Sequence, residues 1–291
     1  MSKYNLIIIS TCCDHNYIYK LIKSVNDNNS FISVCVIIVN QTKELISGIK
    51  KSGFNNFKVI DHGENVNSSV ARNIGIKYLL DNNYYSEFVC FPDDDSSYDD
   101  SFFKAIQKKI QEEDFKNLIT DVYCTGTYRY FRKINLNNIT LLSKKDFNIV
   151  GAVNMVLNYS TFFNVKYFDE RFGINAKYGA GEDGDYFIRA VKFEPFYYSN
   201  EVYSFHPSSF DKFKKLNYKQ KRKKLNTYGI GVMALLSKHK MYFHALYVVF
   251  RALGGAIFSF SRLELSLGLA YFEAFFVRLK TLVKFLIVPI K

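Results

Sequence analysis

The sequence predicts an α/β fold: a mainly parallel, doubly wound sheet followed by amphipathic helices. Three observations carry that reading. Short, nearly continuous apolar runs recur through the first 110 residues, stretches with helical spacing of apolar residues separate them, and the charge balance changes abruptly after residue 210. Strands covered on both faces lose the apolar/polar alternation of a half-exposed sheet. Repeated strand–helix units place parallel neighbours side by side through crossover connections.

Taken in order, NLIIIST (5–11), ISVCVIIVN (32–40), FKVID (57–61) and SEFVCF (86–91) read as the buried strands. Between them NYIYKLIKSVNDN, KELISGIKKSG and SSVARNIGIKYLLDN read as helices; the second ends in Lys-Ser-Gly, and Ser68 or Ser69 suits the N-cap of the third. From about 118 to 165 the pattern changes to the longer runs LITDVYCTGTYRYF and NIVGAVNMVLNYSTFF, expected to pair as strands added to one side of the sheet. A loop with several glycines follows (FGINAKYGAG, 172–181), then an acidic helix start (EDGDYFIRAV) and an aromatic strand (PFYYSNEVYSFHP). The expected organisation is a catalytic domain over 1–210 and a basic helical region over 211–291.

Composition bounds the answer. At 291 residues, 48% apolar and 17% aromatic, the chain can bury a substantial core, which excludes general disorder. Residues 1–210 hold 23 Lys/Arg and 24 Asp/Glu, whereas 211–291 hold 16 and 3, so the tail carries +13 of an overall +12 and the rest is about neutral at −1. The five cysteines (Cys12, Cys13, Cys35, Cys90, Cys124) have no metal-type spacing beyond an adjacent pair and read as small buried hydrophobes of a reducing compartment. KYNLIIISTCC lacks a small-residue cleavage site, so no signal peptide is expected and the chain is expected to start in the cytoplasm.

Chemistry concentrates at three places. FVCFPDDDSS (88–97) crowds Asp93, Asp94 and Asp95 at a strand end. Like charges at that separation repel unless a cation or a set of donors compensates; a solvated acidic turn is the alternative. In doubly wound sheets ligands bind beyond the carboxyl ends of the strands, the edge on which Thr11, Asn40 and Asp93 to Asp95 fall. Glu182, Asp183 and Asp185 crowd a helix start, where the dipole favours carboxylates, directly after a loop able to close. His206, at the end of the last strand, is either a structural histidine or the nitrogen ligand of a mixed nitrogen and oxygen metal site.

The ordered set resembles the family-2 glycosyltransferases with the GT-A fold, in particular bacterial surface-polysaccharide enzymes. The resemblance spans roughly residues 4–210 and rests on the first strand with Thr11, SSVARNIGI (68–76), FPDDDSSY (91–98), FDERFG (168–173), GAGEDGDYFIRAV (179–191) and FHP (205–207). It implies that Asp93 and Asp95 are the outer positions of an Asp-x-Asp motif, with Asp94 between them in the nucleotide-binding set. Asp95, Asp93 and His206 would hold a divalent metal, Mn²⁺ or Mg²⁺, against the diphosphate of a nucleotide-sugar, most simply a UDP-sugar. Asp183 would be the base that deprotonates the acceptor hydroxyl, giving inversion at the anomeric carbon. Arg72 would contact the nucleotide with paired donors that do not titrate, and Thr11 would lie against the nucleobase or ribose. Where the family commonly places an acid after the second strand, this chain has Asn40, an amide able to hydrogen-bond a base edge in both directions. Asn154, Tyr178 and the aromatics near 196–198 are candidates for contact with an acceptor sugar.

The tail begins with DKFKKLNYKQKRKKL (211–225), eight basic residues against one acid, and continues into long apolar segments interrupted by Arg251, Arg262 and Glu264. A transmembrane helix is disfavoured by that arginine, and helices lying in a membrane interface fit better. The alternative is helices packed on the catalytic domain or on a second subunit, a homo-oligomer. Nucleic-acid binding is not expected, because the catalytic part is about neutral. The sequence thus points to transfer of a sugar to a saccharide acceptor, lipid-linked, at the inner face of the plasma membrane, by a peripheral enzyme. The rivals are a nucleotidyltransferase on a related sheet and a non-catalytic membrane-binding module.

Overall fold

A computed structural model describes residues 2–44, 56–125 and 139–290. The chain divides into two compact units, Met1–Phe168 with Tyr186–Ser208, and Asp169–Asp185 with Ser209–Lys291.

The first unit is built on an eight-stranded sheet: β1 (Ser2–Cys12), β2 (Val34–Asn40), β3 (Phe57–Asp61), β4 (Tyr84–Cys90), β5 (Asn117–Thr125), β6 (Ile139–Leu142), β7 (Met155–Asn158) and β8 (Phe196–Pro207). Their spatial order is β3-β2-β1-β4-β7-β5-β8-β6. The first four strands are parallel to one another. β7 pairs antiparallel with both β4 and β5, β5 and β8 run parallel, and β6 closes the far edge antiparallel to β8. The later strands are therefore added on one side, as the change of pattern after residue 118 implies.

All seven residues of β2 are buried, as expected of a strand covered on both faces. One face of the sheet presents Leu6, Ile8, Val36, Ile38 and Phe88 to helices α1 (His15–Asn28) and α3 (Asp100–Gln111), which contribute Leu21, Ile22, Phe102 and Phe103. The opposite face receives α2 (Ser68–Asp81), whose Ala71, Ile76 and Leu79 are fully buried. α2 approaches closely because residue 75 is glycine. A Cβ there would stand 2.5 Å from Ile9 Cγ2 and 3.3 Å from Val39 Cγ2.

Two sequence expectations change in detail. α2 is capped by Asn67, whose side chain accepts from Val70 N, rather than by Ser68 or Ser69; Ser69 is fully buried. NIVGAVNMVLNYSTFF is not one extended run. Its strand, β7, is four residues long, and Asn158 then caps the short helix α4 (Tyr159–Val165) by accepting from Thr161 N. Composition hid this turn, because the β-branched and aromatic residues of YSTFF suit a strand equally well. Most of the helix expected at KELISGIKKSG, and the end of LITDVYCTGTYRYF, lie outside the described residues.

The second unit contains α6 (Ser209–Lys214), α7 (Tyr218–Lys238), α8 (Tyr242–Ser261) and α9 (Leu265–Ile287). α9 packs along both α7 and α8. Small residues permit the approach: a Cβ on Gly268 would fall 2.5 Å from the Phe260 ring, and one on Gly255 would fall 3.1 Å from Tyr271. By length and composition α8 is apolar enough to cross a membrane, and about two thirds of its apolar window is not buried within the chain. α5 (Glu182–Ala190) begins in the second unit and ends in the first.

Gly75→Ala tests the close packing of α2. The helix would gain about 1 kcal/mol in intrinsic propensity, but overpacking against Ile9 costs about 1–3 kcal/mol. A lower urea midpoint is expected; an unchanged or higher midpoint would show that the helix can retreat without penalty.

Candidate functional site

The site forms at the carboxyl edge of the parallel strands. β4 ends at Cys90 and the chain turns at once, with Phe91 buried against Phe168 and Tyr186 at ring-centroid distances of 5.2 and 5.9 Å. Ser10 Oγ donates to Pro92 O at 3.0 Å, which ties the turn to β1, and Ser96 N donates to Asp93 O at 3.1 Å, which closes it. Ser97 and Phe205 then exchange backbone hydrogen bonds, each 2.9 Å. That bridge brings the end of β8, and so His206, onto the aspartates.

His206 Nε2 stands 3.1 Å from Asp95 Oδ1 and 3.5 Å from Asp93 Oδ2. Arg72, on α2 and only 5% exposed, donates from Nη2 to Asp93 Oδ1 at 2.9 Å. Its guanidinium lies 5.3 Å from the centroid of the Phe168 ring. Asn73 fixes that ring by reciprocal hydrogen bonds with the Phe168 backbone, Nδ2 to O at 3.0 Å and N to Oδ1 at 2.8 Å. Asp94 points elsewhere: its Oδ2 accepts from Cys13 N at 3.0 Å, joining the turn to the end of β1.

Electrostatics follow from this packing. Burial would raise the Asp93 carboxyl, but His206 and Arg72 outweigh it and hold the group below the usual carboxylate range. Burial would lower the imidazole of His206; hydrogen bonds and charge from Asp93 and Asp95 overcome it and push the pKa up to about 9. Asp94, with burial and both neighbouring aspartates against its ionised form, is raised. Two carboxylates and an imidazole whose ligand atoms all lie within 4.8 Å of one another form the metal-type group found among the described residues. A mixed oxygen and nitrogen donor set of this kind fits Mn²⁺ or Mg²⁺. Arg72, and His206 when protonated, place positive charge against these carboxylates.

The other expected residues fall as follows. Thr11 is half-buried near the end of β1. Asn40 is buried and internally saturated. Its Nδ2 donates to Glu44 O and to Asp61 Oδ1, each at 2.8 Å, while its Oδ1 accepts from Thr42 N and Thr42 Oγ1. Direct contact of Asn40 with a base edge does not fit those four bonds. The exposed carboxylate beside it is Asp61, in register with Asn40 at the end of β3. Sequence reading passed over Asp61, although its place at the end of FKVID, on the same edge, was the available signal. Asn154 is also structural: its amide bonds Thr120 O, Ile149 O and Gly151 N. Phe196 is fully buried, and Tyr178 packs between Phe172 and Phe285 at 5.1 and 5.8 Å. Of the cysteines, Cys12, Cys35 and Cys90 are buried, Cys124 is half-buried and Cys13 is exposed, and all are free thiols.

In the second unit Asp183 lies in the first turn of α5 and is half-buried. Its neighbour Asp185 is fully buried and held by Lys238 and His239. Asp185 is thus spoken for structurally, which leaves Glu182 and Asp183 as the carboxylates of that turn with partial exposure.

Comparison with known proteins agrees with this architecture. The profile of glycosyl transferase family 2 matches residues 6–172, more than half of the chain. No curated protein matches the sequence. Among solved structures, S. aureus TarS 1–349 superposes with a TM-score of 0.57 at 14% identity, covering 83% of this chain and 74% of that one. The same fragment in complex with UDP-GlcNAc gives 0.57 at 14% identity, with 80% and 67% coverage. In complex with UDP it gives 0.55 at 13%, with 82% of each chain covered. At that identity the likeness is one of fold, and the fold is GT-A.

The charge arrangement predicts a pH signature in metal-free protein. Because the folded pKa of His206 is raised above its ordinary 6.5, its stabilising contribution is fully present below about pH 6.5 and is lost as the pH rises through about 9. In EDTA, the difference in urea midpoint between wild type and His206→Gln should shrink from pH 6.5 to 9.5. A difference constant with pH would remove the imidazolium from the cluster.

Proposed function

This chain belongs to glycosyl transferase family 2, and from that premise we propose that it is an inverting, metal-dependent glycosyltransferase using a UDP-sugar. The observation that carries the proposal is the convergence of Arg72, Asp93, Asp95 and His206 on one end of the parallel sheet. Support for uridine comes from the S. aureus TarS structures, which hold UDP-GlcNAc and UDP.

Asp93, Asp95 and His206 would hold the divalent cation, which when bound offsets the charge building up on the departing diphosphate. Arg72, fixed by its stacking on Phe168, presents donors toward the same charge without titrating. Thr11, and Asp61 beside Asn40, offer polar groups at the same strand-end edge for the ribose and base. Asp183 accepts the proton of the acceptor hydroxyl as that oxygen forms its bond to the anomeric carbon. The bond from that carbon to the diphosphate oxygen breaks on the opposite face, so configuration inverts and the nucleoside diphosphate leaves with the electron pair. A nucleotidyltransferase would instead release pyrophosphate, and the family match does not favour it.

The acceptor is proposed to be a saccharide on a lipid carrier, reached by a peripheral enzyme at the cytoplasmic face of the membrane. What supports this is the outer surface of α8 and α9. Phe243 is 89% exposed, and Tyr247, Phe250, Ile257 and Phe258 follow it on α8 at helical spacing, with Arg251 and Arg262 also exposed. Apolar stripes edged by arginine and lysine suit a bilayer interface with anionic lipid. Tethering there would raise the local concentration of a lipid-linked acceptor.

Two outcomes follow. Asp183→Asn should lower transfer by about 10²–10⁴-fold while UDP affinity stays within about twofold; full activity in that variant would move the base to Glu182. Phe243→Glu combined with Phe250→Glu should abolish sedimentation with anionic vesicles, since each phenylalanine contributes about 1.5–3 kcal/mol when buried. Unchanged sedimentation would remove this surface from membrane binding, and wild-type protein that self-associates in solution and ignores vesicles would assign it to a second copy.

A further inference from the structure

The second unit holds an ion cluster to which the proposed chemistry gives no task. Asp185 Oδ1 is 2.5 Å from Lys238 Nζ and 2.8 Å from His239 Nε2. The same Lys238 Nζ lies 2.7 Å from Asp169 Oδ2, and Arg171 pairs with that carboxylate through Nη2 at 2.6 Å and Nε at 3.2 Å. Asp169 and Asp185 are the first and last residues of the segment Asp169–Asp185 of this unit, a loop that ends in the first turn of α5, and Lys238 and His239 stand at the end of α7. One ammonium therefore fastens both ends of the loop to one helix.

Packing between those ends is as close as backbone allows. Gly231 of α7 lies against Ala180, so a Cβ at 231 would fall 2.4 Å from Ala180 O and 2.9 Å from its Cα. Gly179 and Gly181 have φ of +74° and +100°, conformations suited to glycine. A Cβ on Gly179 would meet Thr227 Cγ2 at 2.3 Å. The loop is thus moulded on successive turns of α7 at Thr227, Gly231, Leu235 and Lys238. It leads directly into α5, where Asp185 N donates to Gly181 O at 2.9 Å. Residues 183 and 185 are separated by about 200° around a helix. Fixing Asp185 against α7 fixes the rotation of the first turn and directs Asp183 to the opposite side.

We propose that Lys238 and His239 are positioning residues, by which the C-terminal helices set the orientation of the Glu182-Asp183 turn. The role assigned to that turn rests on the reading of Asp183 as the base. The tail is then part of the catalytic apparatus as well as a membrane surface, and a chain cut at residue 210 would lose the support of its catalytic carboxylate.

The test uses the full chain, with hydrogen exchange resolved to peptides and calorimetric titration with UDP and Mn²⁺. Lys238→Met should raise exchange across 173–185 by at least about tenfold, leave peptides from β1 to β4 unchanged, and leave UDP affinity within about twofold. Lys238→Arg, which keeps a cation within reach of both carboxylates, should restore protection of the loop. Unchanged exchange at 173–185 in Lys238→Met overturns the proposal, as does increased exchange spread evenly over both units with no recovery in the arginine variant. Should wild type fail to bind UDP, the glycosyltransferase reading fails, while the exchange comparison still decides whether Lys238 holds the loop.

Discussion

Three consecutive aspartates at the end of a buried strand are a standing electrostatic liability, and the first unit is organised around compensating it. Each compensating group comes from a different element. Arg72 arrives on α2, whose approach depends on a glycine facing Ile9 and Val39. His206 arrives on β8, brought over by the Ser97–Phe205 bridge. The backbone of Cys13 takes the third carboxylate, Asp94, toward β1. The same crowding is what the proposed function uses: under that proposal Asp93, Asp95 and His206 would hold a cation against a diphosphate, beside an arginine that keeps its charge at all working pH.

The second unit meets a different constraint, that of ordering a glycine-rich loop ahead of α5. A loop with two glycines at positive φ is entropically expensive to order. Here it is ordered by α7, through backbone contact at Gly231 and through the ion pairs at Lys238. This gives the basic tail two kinds of cation. Lys238 is largely buried and paired, whereas Arg251, Arg262, Lys280 and Lys284 are exposed.

Much of this was legible in the sequence where chemistry and position coincide. The four parallel strands are legible as unbroken apolar runs, and the grouping of Asp93, Asp95 and His206 is legible because all three sit at strand ends. Short-range competition was harder to read. Asn67 displaced the serines as helix cap, and Asn158 converted the second half of an apparent strand into a helix. Asn40 looked available for a base because nothing local revealed that Asp61, Thr42 and Glu44 would saturate its amide. The ion cluster at Asp185 is not legible locally: its partners lie 53 and 54 residues away, at the C-terminal end of α7.

The most direct measurement is a calorimetric titration of the full chain with UDP, GDP and CDP, each with Mn²⁺ and with EDTA, repeated on Asp95→Asn. The account predicts that UDP binds with Mn²⁺, and that binding is weakened by at least about tenfold in EDTA or in the variant, since each removes a charge-assisted contact. UDP binding indifferent to both, or no nucleotide binding under any condition, would return the three aspartates to the status of a polar turn and contradict the central claim.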